Sequence, residues 1–248
     1  MSKIGFSLII LLLFSSPFLL LAQTGDEILA KAEKALSGPK DYEARASLTL
    51  GSLDSQQKEL REIMVWFAGK DKRLIKFISP AGVKGIALLS NEEGMNLYLP
   101  AQNKIRLIEG NLKDEDFQGT DFSYNEIGSY EYQADYHATV TAEDTKSWSL
   151  LLTRKPTSRR IYDKLIMVVD KKNFIPLKIE LYTGTTLKKV LTILETGQFG
   201  PYLIPTVVRI ENLLKRHYTE MRLQNVKFDQ GLEAQGIFTK RFLKKPVS

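Results

Sequence analysis

From Tyr42 to Val226 apolar residues recur at every second position, in short runs bounded by Gly, Asp, Asn or Pro. That period belongs to strands and not to helices. Tyr42, Ala44, Ala46, Leu48 and Leu50 open the pattern, and Ile63, Val65 and Phe67, then Ile75 and Phe77, continue it. Further runs fall at 86–89, 96–99, 104–108, 136–141, 148–153, 165–169, 177–182, 188–195, 206–212 and 218–226. About a dozen short strands, joined by hairpin-length turns with no helices between them, predict an antiparallel sheet or barrel over a doubly wound parallel one. One helix is expected ahead of them. Thr24 can cap it with Glu27 reaching back, Ile28, Leu29, Ala32, Ala35 and Leu36 share one face, and Gly38 with Pro39 stops it.

Before that helix, residues 1–22 carry a single charge, Lys3, then the apolar run Leu8 to Phe14, a Ser15, Ser16, Pro17 break, and Phe18 to Ala22. A short positive start, an apolar centre and a small residue before a polar continuation is the layout of a secretory signal. The competing reading is an uncleaved membrane anchor, because the stretch approaches the roughly 20 residues that cross a bilayer. Pro17 and the two serines favour cleavage, which leaves 23–248 as a single exported domain with no linker or composition shift inside it.

Several strands are apolar on both faces, as in Ile63 to Phe67 and Leu150 to Leu152. One face builds the core, and the second must be covered by a helix, another sheet or a ligand. A filled barrel core satisfies this, and so does an incompletely filled barrel that holds an apolar ligand. Residues Gly110 to Gly128 break the alternation: Asp114, Glu115 and Asp116 suit a helix start, and Phe117, Phe122 and Tyr124 follow among polar residues. Such a segment is either a surface loop pinned by its aromatics or a lid that closes over a cavity.

With no cysteine in 248 residues, a disulfide scaffold, a thiolate metal site, a cysteine nucleophile and an acylated cysteine of its own are all ruled out. Only His137 and His217 could offer imidazole, and they lie far apart without ligand-like spacing. Gly82 and Gly85 lack the rest of a phosphate loop. No nucleophile and base, paired carboxylates or metal triad stands out, so no enzyme, metal or cofactor is expected. A net charge of +6, from 35 basic and 29 acidic residues, is too dilute for a nucleic-acid binder.

The succession Phe77, Ile78, Ser79, Pro80, then Lys84, Gly85, Leu88, Leu89, Tyr98, Leu99, Pro100, Arg106 and Phe117 to Tyr124 resembles the outer-membrane lipoprotein-sorting protein family, relatives of the LolA/LolB carriers. Val169, Asp170 and Lys171, the Ile175 to Lys178 run, Pro205, Thr206 and Phe238 to Leu243 extend the resemblance over essentially the whole exported chain. It implies a mainly β fold: a half-open antiparallel β-barrel with an N-terminal helix and a short helical lid. The implied function is a monomeric periplasmic carrier that shelters acyl chains of lipoproteins, or of a related lipid, between the inner and outer membranes. Its implied partners are an acylated lipoprotein or lipid, an inner-membrane transporter that loads it and an outer-membrane acceptor. A lipid sensor or a free-lipid transport accessory would use the same container.

On that reading Met64, Trp66, Leu88 and Tyr98 are expected to line the cavity, and Phe117, Asp121, Phe122 and Tyr124 to form the lid. Asp121 could equally hold a turn through its own side chain. Basic groups at Arg154, Lys155, Arg159 and Arg160, and again at Lys240, Arg241, Lys244 and Lys245, are candidates for docking on anionic headgroups or on the transporter. Three departures stand against the resemblance, one being that Asn125 and Glu126 stand near an expected Asp. Thr120 replaces a more usual Ser, and the arginine that clasps the lid in the carrier branch has only Lys70 and Lys72, with Arg73 offset, near its place, so the clasp is not carried over.

Overall fold

The computed structural model describes residues 23–128 and 130–246; the expected leader, 1–22, lies outside them. The capping box forms as the sequence dictates. In α1 (Gly25–Leu36) the Glu27 amide donates to Thr24 Oγ1 at 3.2 Å, and the Thr24 amide donates to Glu27 Oε2 at 2.9 Å. Ile28, Leu29 and Ala32 on its buried face pack against the sheet.

Thirteen strands follow, each overlapping one of the periodic runs: β1 (Asp41–Ser52), β2 (Lys58–Ala68), β3 (Lys72–Ser79), β4 (Ala87–Asn91), β5 (Gly94–Leu99), β6 (Lys104–Ile108), β7 (Tyr136–Glu143), β8 (Ser147–Arg154), β9 (Lys164–Asp170), β10 (Pro176–Thr183), β11 (Thr186–Phe199), β12 (Tyr202–Asn212) and β13 (His217–Phe228). They form one antiparallel sheet in the order β6-β5-β4-β3-β2-β1-β13-β12-β11-β10-β9-β8-β7. Neighbours in sequence are neighbours in space, and β1 pairs with β13 at the centre, with Leu48 opposite Met221. The two edges, β6 and β7, do not pair with each other. The sheet is therefore a barrel left open along one seam, and the segment from β6 to β7 must travel from one edge to the other.

Alternation sorts the first half of the sheet into two apolar layers. Ala44, Ala46, Ile63, Val65, Phe67, Ile75, Phe77, Leu88 and Leu97 face inward, whereas Trp66, Leu74, Ala87 and Leu89 face outward. The outward layer is covered by the C-terminal segment, whose Leu232, Ile237, Phe238 and Leu243 pack onto it. Polar bonds fix that cover. Asp41 accepts from the amides of Gln230 (2.7 Å) and Leu232 (3.0 Å), Asn91 donates to the Phe238 carbonyl (3.1 Å), and the buried Lys76 donates to the carbonyls of Phe242 (3.3 Å) and Lys245 (2.5 Å) at α4 (Lys240–Leu243). In the second half, Leu150, Leu152, Leu165, Met167 and Ile179 join α1 in a separate inward cluster. Among the described residues no helix is long and apolar enough to cross a membrane.

Candidate functional site: an apolar cavity under a pinned lid

Between the two inward clusters lies a cavity of about 130 Å³. Ile63, Phe67 and Ile75 line it from one half of the sheet, and Leu165, Ile179, Leu181, Leu191, Val208 and Met221 from the other. Strands from both sides of the central β1/β13 pair thus face one space, which requires the sheet to curl around it. Phe117, Phe122 and Ile127 close it from the crossing segment, and Leu36 from α1. Tyr130, Tyr132, Tyr136 and Tyr162 form an aromatic rim, and Asp114, Glu126, Glu131 and Arg160 bring charge to its border.

The crossing segment is compact. Two 3-10 turns (Gly110–Asp114 and Phe117–Gly119) lead to α2 (Tyr124–Gly128), and α3 (Tyr132–Asp135) precedes β7. Gln118 and Gly119 take φ of 51° and 78°, a backbone region open to glycine at little steric cost, and the Phe117 amide then donates to the Phe122 carbonyl at 2.8 Å. The acidic trio does not start a helix, contrary to the sequence expectation. α2 instead begins at a capping pair in which the Ser123 amide donates to Glu126 Oε2 (2.6 Å) and the Glu126 amide to Ser123 Oγ (3.2 Å). Asp114 and Asp116 are taken up by side chains of other elements: Asn125 Nδ2 donates to Asp114 (2.7 Å), and Lys189 and Lys215 donate to Asp116 (2.9 and 2.5 Å).

Three sheet elements pin the segment down. From β11, buried Lys189 Nζ donates to the Asp121 carbonyl at 2.6 Å, and it lies 3.4 Å from Glu126 Oε2. From β13, Thr219 Oγ1 donates to Asp121 Oδ2 (2.8 Å) and accepts from the Asp121 amide (2.9 Å), while His217 Nδ1 lies 2.6 Å from the same carboxylate. From β2, Arg61 donates to the Gln118 carbonyl at 2.5 Å. Tyr162 at the rim donates to Glu126 Oε1 at 3.1 Å. Burial pulls the Lys189 ammonium down, but the Glu126 and Asp116 carboxylates outweigh it and hold it above the ordinary lysine value. Burial pushes Asp116 up, and the two lysines overcome that to hold it below the ordinary carboxyl value. Desolvation raises the Tyr132, Tyr136 and Tyr162 hydroxyls, so these three stay neutral.

The structure sorts the residues singled out in the sequence. Phe117 and Phe122 line the cavity. Tyr124 lies beside them, edge-on to Phe117 at 5.5 Å, and Asp121 is the buried pin to β13. Leu88 points inward but sits deeper in the packed cluster and does not border the cavity. Met64, Trp66 and Tyr98 are on the opposite face, under the C-terminal cover, with Trp66 5.7 Å from the Phe242 ring. Their placement on the cavity side is corrected by one residue along β2: Ile63 and Phe67 have the inward phase. Both faces of β2 are apolar, so alternation alone does not choose between them.

The basic group around 154–160 is drawn together by α3 and its own loop. Arg154 donates to the Arg160 carbonyl, Lys155 to the Gln133 carbonyl (2.6 Å), and Arg160 to Asp135 (2.7 Å), while Arg159 is exposed. Lys70 is paired with Glu131 at 2.6 Å, and Lys72 with Glu233 at 2.7 Å. His137 is exposed, 3.8 Å from Asp26. Lys189, Arg61 and Tyr162 were not singled out in the sequence. Lys189 shares its row with Leu191 and Ile193, and Arg61 shares its row with Ile63 and Val65; a lone cation in an apolar row is the signal that marks both.

An open antiparallel sheet curled around an apolar cavity, with few short helices, is a LolA-like fold. A domain from Vibrio parahaemolyticus described as an outer membrane lipoprotein-sorting protein superposes with a TM-score of 0.80 at 26% identity, covering 89% of this chain and 98% of its own. A DUF1329 family protein from Desulfovibrio piger gives 0.80 at 22% identity over 88% and 97%, and a LolA superfamily protein from Nitrosomonas europaea gives 0.72 at 20% over 89% and 100%. The chain belongs to the family whose model, described as "Uncharacterized protein", matches residues 69–245. No curated protein matches it.

Proposed function

We propose that the protein is a periplasmic carrier that shelters acyl chains of lipoproteins, or of a related lipid, in the cavity and moves them from the inner to the outer membrane. The observation that carries this reading is the cavity itself: about 130 Å³ bounded by aliphatic and aromatic side chains, where close packing would ordinarily leave few voids larger than a water. A cavity near that size lined by apolar groups admits a small hydrocarbon, so the closed form takes only a short length of chain. Each methylene kept from water is worth about 0.8 kcal/mol, which makes an acylated protein unable to cross an aqueous compartment at a useful rate without a container. No catalytic role is assigned to the protein.

Full loading then requires the crossing segment to lift. Its pins are a handful of polar bonds to Arg61, Lys189, His217 and Thr219, while most of the apolar wall belongs to the sheet. Arg159, with the other bases at 154–160, is the candidate surface for docking on an anionic membrane or on a loading transporter, and the protein works as a monomer handing its cargo to an outer-membrane acceptor.

The chain lacks cysteine, so a single engineered disulfide can test the lid. In Asp121→Cys/Thr219→Cys the oxidised protein should take up a fluorescent fatty-acyl probe at least tenfold more slowly than the reduced one. Equal uptake in both redox states would show that the segment does not gate the cavity, and absence of uptake in wild type would remove the carrier reading.

A further inference from the structure

Arg61, Lys189 and Arg73 are buried cations in inward apolar rows of the sheet. The first two donate to the lid. Arg73 shares its row with Ile75 and Phe77 and is only 2% exposed, yet none of its Nε, Nη1 and Nη2 atoms finds a hydrogen-bond partner among the described residues. Its guanidinium lies between two rings, 5.0 Å from the centroid of Phe67 and 4.6 Å from that of Tyr130. Cation–π contact offsets part of the cost of burying the charge, but it leaves the in-plane N–H donors unanswered, and a buried charge without an acceptor is expensive.

Beside the guanidinium is a second void of about 10 Å³, bounded by Ser37, Tyr42, Phe67, Arg73 and Tyr130. Leu36, Phe67 and Tyr130 bound both this void and the large apolar cavity. The pair of spaces thus has the polarity of an amphiphile: an apolar chamber, and next to it a small void bounded in part by Arg73, whose side-chain donors are all unpartnered among the described residues. An acyl chain in the chamber brings its head to the walls that the two spaces share.

We infer that Arg73 is a headgroup site, and that the ligand it selects is an acyl chain ending in a carboxylate. The planar fork of the guanidinium matches a carboxylate in a way that an ester carbonyl or a hydroxyl does not, and a carboxylate is a more compact head than a phosphate to bring beside a fully buried side chain. This rests on the acyl-cavity reading and narrows it to the carboxylate of a single-chain fatty acid. The charged hydrogen bond supplies selectivity, and the chamber supplies affinity.

The test compares laurate, 1-dodecanol and dodecyl phosphate by calorimetry at pH 8 on wild type, Arg73→Met and Arg73→Lys. Wild type should bind laurate about 10- to 100-fold more tightly than dodecanol and more tightly than dodecyl phosphate. Arg73→Met should bind laurate and dodecanol alike while keeping the wild-type affinity for dodecanol, and Arg73→Lys should recover part of the preference. Without ligand, Arg73→Met should unfold in urea at the same midpoint or higher, because an unanswered charge has been removed. Equal affinity of wild type for laurate and dodecanol, a laurate preference that survives in Arg73→Met, or tighter binding of dodecyl phosphate would each overturn the inference while leaving the acyl cavity standing. If none of the three probes binds wild type, the cavity reading fails and the inference with it.

Discussion

Lys189 carries more of the lid than any other side chain, because one ammonium group answers the Asp116 carboxylate, the Glu126 carboxylate and the Asp121 carbonyl together. Removing one partner from a buried ionic cluster leaves the others uncompensated, which typically costs about 3–5 kcal/mol. Lys189→Met should therefore lower stability in urea by about 3 kcal/mol or more, whereas loss of under about 1 kcal/mol would mean that the cluster is wet and weak. The pH dependence has two signs. Asp116 is held below its ordinary value of 3.8, so its contribution is complete above that value and disappears as pH falls through the lower folded value. Lys189 is held above its ordinary 10.5, so its contribution is complete below 10.5 and disappears as pH rises through the folded value. The stability that wild type has over Lys189→Met should be level between these limits and shrink outside both. A difference that changes steadily across neutral pH would contradict the assignment. At this scale the sequence was partly readable: a charge amid Leu191 and Ile193, or amid Ile75 and Phe77, marks an inward cation. What Lys189 meets there depends on chain more than sixty residues away, which no local pattern encodes.

The strands were legible because a half-buried sheet imposes a period of two that few other structures share, and the capping box fixed the start of α1 for an equally local reason. The phase of β2 was not. Ile63 and Phe67 look into the cavity, while Met64 and Trp66 look out, and both rows are apolar because the C-terminal segment needs one of them. That cover is an element in its own right, anchored by Phe238 and Leu243 against Leu74 and Leu89. Phe238→Ala should cost about 3–5 kcal/mol and expose the outer face, read as a fall in the urea midpoint and a rise in binding of an apolar dye. The same substitution should leave the affinity for an acyl probe unchanged at a denaturant-free temperature well below unfolding, because Phe238 and the cavity lie on opposite faces. Loss of probe affinity without loss of stability would instead make the outer face a binding surface. The acidic run 114–116 misled for a related reason. Carboxylates favour helix starts, but Asn125 takes Asp114, and two lysines, from β11 and from the turn before β13, take Asp116.

Across the whole molecule, the unpaired seam between β6 and β7 leaves the sheet open, and on the proposed reading that seam is what lets it serve as a container with a door. A closed barrel would bury its core permanently, whereas here the connection that spans the seam is also the roof, so opening the roof does not require breaking the sheet. The fold class was readable from strands following strands, and the ordered motif from Phe77 to Leu243 suggested the LolA-like fold that the superpositions bear out. The cavity was not readable, because it is an absence of packing where two halves of a curved sheet fail to meet. The central claim is that this space holds an acyl chain, and native mass spectrometry of the exported protein purified from its host tests it most directly. The account predicts a population whose mass exceeds that of the bare chain by an acyl-bearing species, released when the solution is made denaturing. A single bare mass, from protein that also takes up no fluorescent fatty-acyl probe, would contradict it.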